Sequence, residues 1–163
     1  MKILWAPWRT TYINAHKKDE NCFICDIIRS SEDEKNLVLL RKTLTIVIMN
    51  RYPYNNGHLM VCPIRHIKFP FEMNSEERQE VMEAISQMTQ ILNMVYKPQG
   101  FNIGANVGQA AGAGEEHLHF HILPRWNSDT NFMTPIAETR VIPELLEDTF
   151  KKIKKEILKQ GNY

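Results

Sequence analysis

The chain has 163 residues, enough for one domain with a substantial core. Hydrophobic residues make up 43% and charged residues 24%, the balance of an ordinary soluble globular protein. With 20 Lys+Arg against 19 Asp+Glu the net charge is +1, which excludes a global push toward nucleic acid or a membrane surface, so an anionic ligand needs a local site.

No apolar run approaches the roughly 20 residues that span a bilayer. The opening residues 1–9 are too short and too aromatic for a signal peptide. Three cysteines do not make a disulfide framework. Cys22 and Cys25 form a C-x-x-C pair, Cys62 lies in an apolar run, and a reducing cytoplasm fits this usage.

In chain order, the N-terminal segment 1–30 carries the C-x-x-C and shows no clear period to about Asp26, and residues 30–36 are polar and read as a loop. Residues 37–40 and 44–49 are short aliphatic runs, predicting two strands with a turn at Arg41-Lys42. Asn50 to Gly57 is turn-like, and residues 58–63 predict a third strand that stops at Pro63. Asn74 with Glu77 predicts a capping box. After it Val81, Met82, Ile85, Met88, Leu92, Val95 and Tyr96 recur at helical spacing until Pro98-Gln99-Gly100. Residues 101–107 and 117–123 predict two more strands, and a last helix follows Pro143, with Leu146, Phe150, Ile153 and Ile157 as its apolar stripe. About five strands joined by short loops and two main helices predict an α+β fold with an antiparallel sheet in a single domain.

The chemistry is concentrated in His117-Leu118-His119-Phe120-His121. On a strand, three imidazoles would share one face and Leu118, Phe120 and Ile122 would point into the core. Three chemistries compete. An exposed face can simply carry histidines. Three histidines can bind a metal, although same-face side chains about 7 Å apart rarely converge on one ion. Neutral imidazole can also attack phosphorus directly, with a neighbouring histidine passing a proton to the leaving oxygen. Just upstream, five of the seven glycines fall between Gly100 and Gly114, a backbone able to approach an anion closely. The pair Cys22/Cys25 alone is ambiguous among zinc, redox chemistry and two free thiols that only pack.

The segment 106–126, with H-x-H-x-H followed by Leu123-Pro124-Arg125, resembles the signature of the histidine-triad (HIT) family. Residues 50–63 resemble that family's nucleotide-binding strand pair. The motif Leu4-Trp5-Ala6-Pro7-Trp8-Arg9, together with residues 111–114, 124–126 and 129–133, resembles the diadenosine-tetraphosphate phosphorylase and dinucleoside-polyphosphate hydrolase branch. The resemblance implies a HIT-like fold and a nucleotide-cleaving enzyme. It implies His119 as the nucleophile on an α-phosphate and His121 as its phosphate-side partner. Asn50 would bind the ribose, Asn106 the phosphate near the scissile bond, and His58 would lie near the phosphates, with Gly112 and Gly114 in the phosphate cradle. Many relatives carry Ser or Thr where this chain has Gly114. The resemblance also implies a structural zinc held by Cys22, Cys25, His66 and His117, no organic cofactor, and a homodimer. Hydrolysis of nucleoside phosphoramidates, or nucleotide sensing with little turnover, is the alternative activity. Arg125, Trp126, Trp5 and Trp8 fit packing better than ligand contact, and His16 fits solvent.

Overall fold

In the computed structural model the described residues are 22–127, 129 and 144–160. The motif at 4–9, His16 and residues 130–133 lie outside them. The elements run α1 (Phe23–Arg29), β1 (Val38–Arg41), β2 (Thr45–Met49), β3 (Leu59–Pro63), α2 (Ser75–Tyr96), β4 (Gly100–Gly104), β5 (Phe120–Arg125) and α3 (Leu146–Lys159). None of the described helices is long and apolar enough to cross a membrane.

The strands form one antiparallel sheet in the order β1-β2-β3-β5-β4. One face packs against α2 and α3 through Val47, Val61, Ile85, Met88, Leu92, Ile153 and their neighbours. The other carries Val38, Ile46, Ile48, Met60 and Cys62 beneath Ile24 of α1. β2 and β3 are buried along their whole length because both faces are covered.

The expected capping box is present. Asn74 Oδ1 accepts the Glu77 amide at 2.8 Å, and Glu77 returns a bond to the Asn74 amide at 2.9 Å. α2 ends at Lys97, whose φ of 47° places it in the left-handed region before Pro98. The stripe on α3 is buried as its spacing predicts, except that Leu146 is only partly buried.

Three expectations need correction. A third helix, α1, sits where no period was expected, and with its N-cap Cys22 it carries the C-x-x-C pair. The strand expected over 101–107 is Gly100–Gly104. The strand expected over 117–123 is Phe120–Arg125, so His117 and His119 precede it. Leu118 and Ile122 do enter the core, whereas Phe120 is only half-buried.

The turn before β3 depends on Gly57. Its φ is +72°, and a Cβ there would lie 3.0 Å from Leu92 Cδ2 and 3.3 Å from Pro124 Cγ. The next residue is His58, which this tight turn places directly ahead of β3.

Candidate active site and metal centre

The three histidines of the run do not share an exposed face. His117 is 0% exposed and His119 is 7% exposed, and each has a partner. His117 Nε2 lies 2.8 Å from the Pro63 carbonyl, and His119 Nδ1 lies 2.7 Å from the His117 carbonyl. A carbonyl only accepts, so each of these nitrogens carries the hydrogen. His117 Nδ1 and His119 Nε2 therefore keep their lone pairs. An unpaired imidazole is costly to bury, and for His117 and His119 the backbone carbonyls remove that cost.

His121 is set by a longer chain. The Tyr54 amide donates to His58 Nδ1 at 3.1 Å, which leaves the hydrogen on His58 Nε2. That nitrogen lies 2.9 Å from His121 Nδ1. His121 Nδ1 accepts, so its Nε2–H is left as a donor. Burial is the main cause holding these rings neutral. It pushes His58 down to about 3 and His121 down to about 4, and it lowers His119 as well. The rings of His119 and His121 meet edge to face at 4.9 Å. The result is a lone pair on His119 next to an N–H on His121, a nucleophile beside a hydrogen-bond donor.

Both rings open into a cavity of about 480 Å³. Asn50, Asn106, Gly112 and Gly114 line it too. His58 does not line it. At 1% exposure it reaches the cavity only through His121. Arg125 turns away and binds Asp129 at 2.5 Å and Asn102 at 2.6 Å, while Trp126 packs edge-on against Tyr96.

The opposite cavity wall was not anticipated. Phe23, Asp26 and Ile27 of α1 line it, followed by Ser30, Glu32 and Asn36. The spacing of Phe23, Ile24, Ile27 and Ile28 is helical and could have disclosed this helix.

The other face of α1 and the start of the histidine run make a second cluster. Donor atoms of Cys22, Cys25, His66 and His117 all lie within 4.8 Å of one another. His117 Nδ1 is 3.5 Å from Cys22 Sγ and 3.4 Å from Cys25 Sγ, and His66 Nδ1 is 3.3 Å from Cys25 Sγ. Ordinary zinc–sulfur and zinc–nitrogen bonds give tetrahedral edges of about 3.3–3.8 Å, so the donor set fits a four-coordinate ion. Burial pushes the Cys22 thiol up to about 12, so a thiolate there needs a cation beside it. Burial also holds His117 near 4, in the neutral form that ligates. The Pro63 carbonyl orients that ring from behind.

The sequence places this chain in a known group. The HIT domain profile matches residues 31–128, more than half of the chain. The chain belongs to the HIT, or histidine triad, family. The AP-4-A phosphorylase of Mycobacterium tuberculosis is 38% identical over 168 aligned positions, which cover 98% of this chain and 86% of that protein. A HIT-like protein from Bartonella henselae superposes with a TM-score of 0.69 at 22% identity, covering 85% of this chain and 97% of that one. A zinc-bound histidine triad protein from Mycobacterium smegmatis gives 0.65 at 24% identity, covering 86% and 95%. Both structural likenesses extend the HIT fold to this chain.

Within this HIT chain, the His119–His121 pair and the Cys/His cluster share two supports. α1 and its N-cap Cys22 carry both thiols and one cavity wall. His117 belongs to the cluster, and its carbonyl holds His119.

Proposed function

We propose that this HIT protein cleaves dinucleoside polyphosphates such as diadenosine tetraphosphate at an α-phosphate, with inorganic phosphate as acceptor. The observation that carries the reading is the fixed lone pair of His119 Nε2 beside the N–H of His121, both opening into a cavity with Asn50 and the Gly112–Gly114 backbone. The 38% identity to the M. tuberculosis AP-4-A phosphorylase supports the substrate class.

In the first step the Nε2 lone pair of His119 attacks the α-phosphorus. A P–N bond forms, and the P–O bond to the leaving polyphosphate breaks. His121 Nε2–H hydrogen-bonds the phosphoryl oxygens as charge builds on them. In the second step a phosphate oxygen attacks the same phosphorus and the P–N bond breaks. The pair returns to His119 Nε2. Diadenosine tetraphosphate thus gives ATP in the first step and ADP in the second, whereas water in place of phosphate gives AMP. Asn106 would hold the phosphoryl group and Asn50 the ribose hydroxyls.

Cys22, Cys25, His66 and His117 would hold a structural zinc ion, a reading supported by four donors within 4.8 Å of one another and three spacings of 3.3–3.5 Å. When bound, the ion would tie α1 to the histidine run. A homodimer in the cytoplasm completes the reading.

Incubation with diadenosine tetraphosphate, with and without phosphate, tests it. ADP plus ATP formed only with phosphate is the expected result. Absence of any nucleotide product in both conditions sinks it. His119→Ala is expected to lose turnover by about 10⁴-fold or more while nucleotide binding persists, because the nucleophile acts on the transition state.

A further inference from the structure

We infer that Ser30 and Asn36 read the Watson–Crick edge of the base and make the pocket selective for adenine, an inference that rests on the nucleotide-cleaving reading above.

The sheet supplies a ruler. His121 pairs with Met60, Met60 with Ile48, and Ile48 with Val38, so one row of residues crosses four strands. Three strand spacings come to about 14 Å. The phosphate chemistry occupies the His121 end. Ile48 and Met60 floor the middle, and Phe23 and Ile27 of α1 also line the cavity, which gives an apolar slot for a planar ring. Ser30 caps the end of α1 and Asn36 lies two residues before Val38. Both line the cavity, and Asn36, bonded to Ser30, leads into Val38 at the end of the row away from His121. A nucleotide with its phosphate at His119 and its ring over Ile48 points its base edge at them.

Their hydrogen bonding leaves a defined pattern. Ser30 Oγ accepts the Glu32 amide at 3.1 Å and Asn36 Nδ2 at 2.9 Å. Both lone pairs are engaged, so the hydroxyl hydrogen is the part left to offer. Asn36 spends one hydrogen of its amide nitrogen on Ser30 and presents Oδ1 as an acceptor. The two carboxylates nearby are already paired, Asp26 with Arg29 at 2.7 Å and Glu32 with Lys35 at 2.9 Å. An acceptor beside a donor matches adenine, which presents its 6-amino hydrogen next to N1. Hypoxanthine and guanine present O6 next to N1–H, the reverse order, and meet like groups with like.

Calorimetric titration with AMP, IMP and CMP, paired with turnover of diadenosine tetraphosphate and its inosine counterpart, tests the assignment. AMP is expected to bind about tenfold or more tighter than IMP, with CMP weaker still, and the adenine substrate to show a similar advantage in kcat/KM. Asn36→Leu should bring AMP to within about twofold of IMP by weakening AMP alone. Ser30→Ala should move the ratio the same way without removing the Asn36 side chain, and circular dichroism reports whether each variant is folded. Equal binding of AMP and IMP, or an AMP preference that survives both substitutions, overturns the inference. If turnover persists without base preference, only this inference falls. If no mononucleotide binds and no dinucleotide is cleaved, the nucleotide reading falls with it.

Discussion

His58 Nε2 lies 2.9 Å from His121 Nδ1, and the Tyr54 amide holds the far side of the His58 ring. His58 thus fixes the tautomer of His121 and leaves its Nε2–H as a donor, which makes it a positioning residue under the proposed function. Removing it by His58→Ala lets His121 take either tautomer, and kcat should fall about 10- to 100-fold with little change in KM. Glutamine can present an N–H toward His121 Nδ1, so His58→Gln should recover much of the loss. Steady-state kinetics on both variants checks this. Equal defects in Ala and Gln would mean that His58 only fills space.

The same pair predicts an acid limb in stability. His58 titrates near 3 and His121 near 4 in the folded chain, each pulled down from an ordinary 6.5 chiefly by burial. The unfolded chain takes up protons from pH 6.5 downward, whereas the folded rings resist until about pH 4. Between those limits the unfolded state binds more protons, so stability is full above pH 6.5 and falls as the pH drops toward 4. Thermal unfolding across pH 4–8 should show this slope. It should be shallower in His58→Gln, which removes one of the lowered histidine titrations. A midpoint that stays level from pH 7 to 4 in the parent chain would contradict the buried neutral pair.

Much of this was legible in the residues, and what was not has physical causes. The capping box of Asn74 and Glu77 needs only local geometry, so it can be read directly. The first three strands follow from their aliphatic runs, and the four donors of the metal cluster follow from the resemblance. The burial of His117 and His119 could not be read, because their partners are the Pro63 and His117 carbonyls, and backbone atoms leave no trace in a sequence. α1 was missed because seven residues give barely two turns of pattern. With it went the wall that holds Phe23, Ile27 and Ser30.

The metal cluster makes a separate prediction. His66 is exposed, so His66→Ala opens no cavity and its effect reports the cluster itself. The purified chain should hold one zinc per chain by atomic emission, and both His66→Ala and Cys25→Ser should lose it. The thermal midpoint should then drop by about 5–10 °C, the size expected when an ion present at 100-fold or more above its Kd is lost. Because α1 and its N-cap Cys22 carry both thiols and a cavity wall, nucleotide affinity should fall as well. A metal-free parent chain whose midpoint does not respond to added zinc would refute the site.

Gly114 bears on the choice of acceptor. It is exposed, lines the cavity and stands three residues before His117, where many relatives carry a hydroxyl. A glycine there leaves the rim open beside the phosphoryl group, which is space a second phosphate needs once the leaving nucleotide has gone. A serine side chain would occupy that space and hydrogen-bond the bound phosphoryl oxygens, while water, being smaller, would still reach phosphorus. Gly114→Ser should therefore shift the products of diadenosine tetraphosphate from ADP toward AMP by about tenfold at fixed phosphate, mostly through a higher KM for phosphate. Product ratios by ion-exchange chromatography over a phosphate titration measure it. An unchanged ADP:AMP ratio would show that the acceptor enters elsewhere, and Asn106, on the same cavity, would be the next position to substitute.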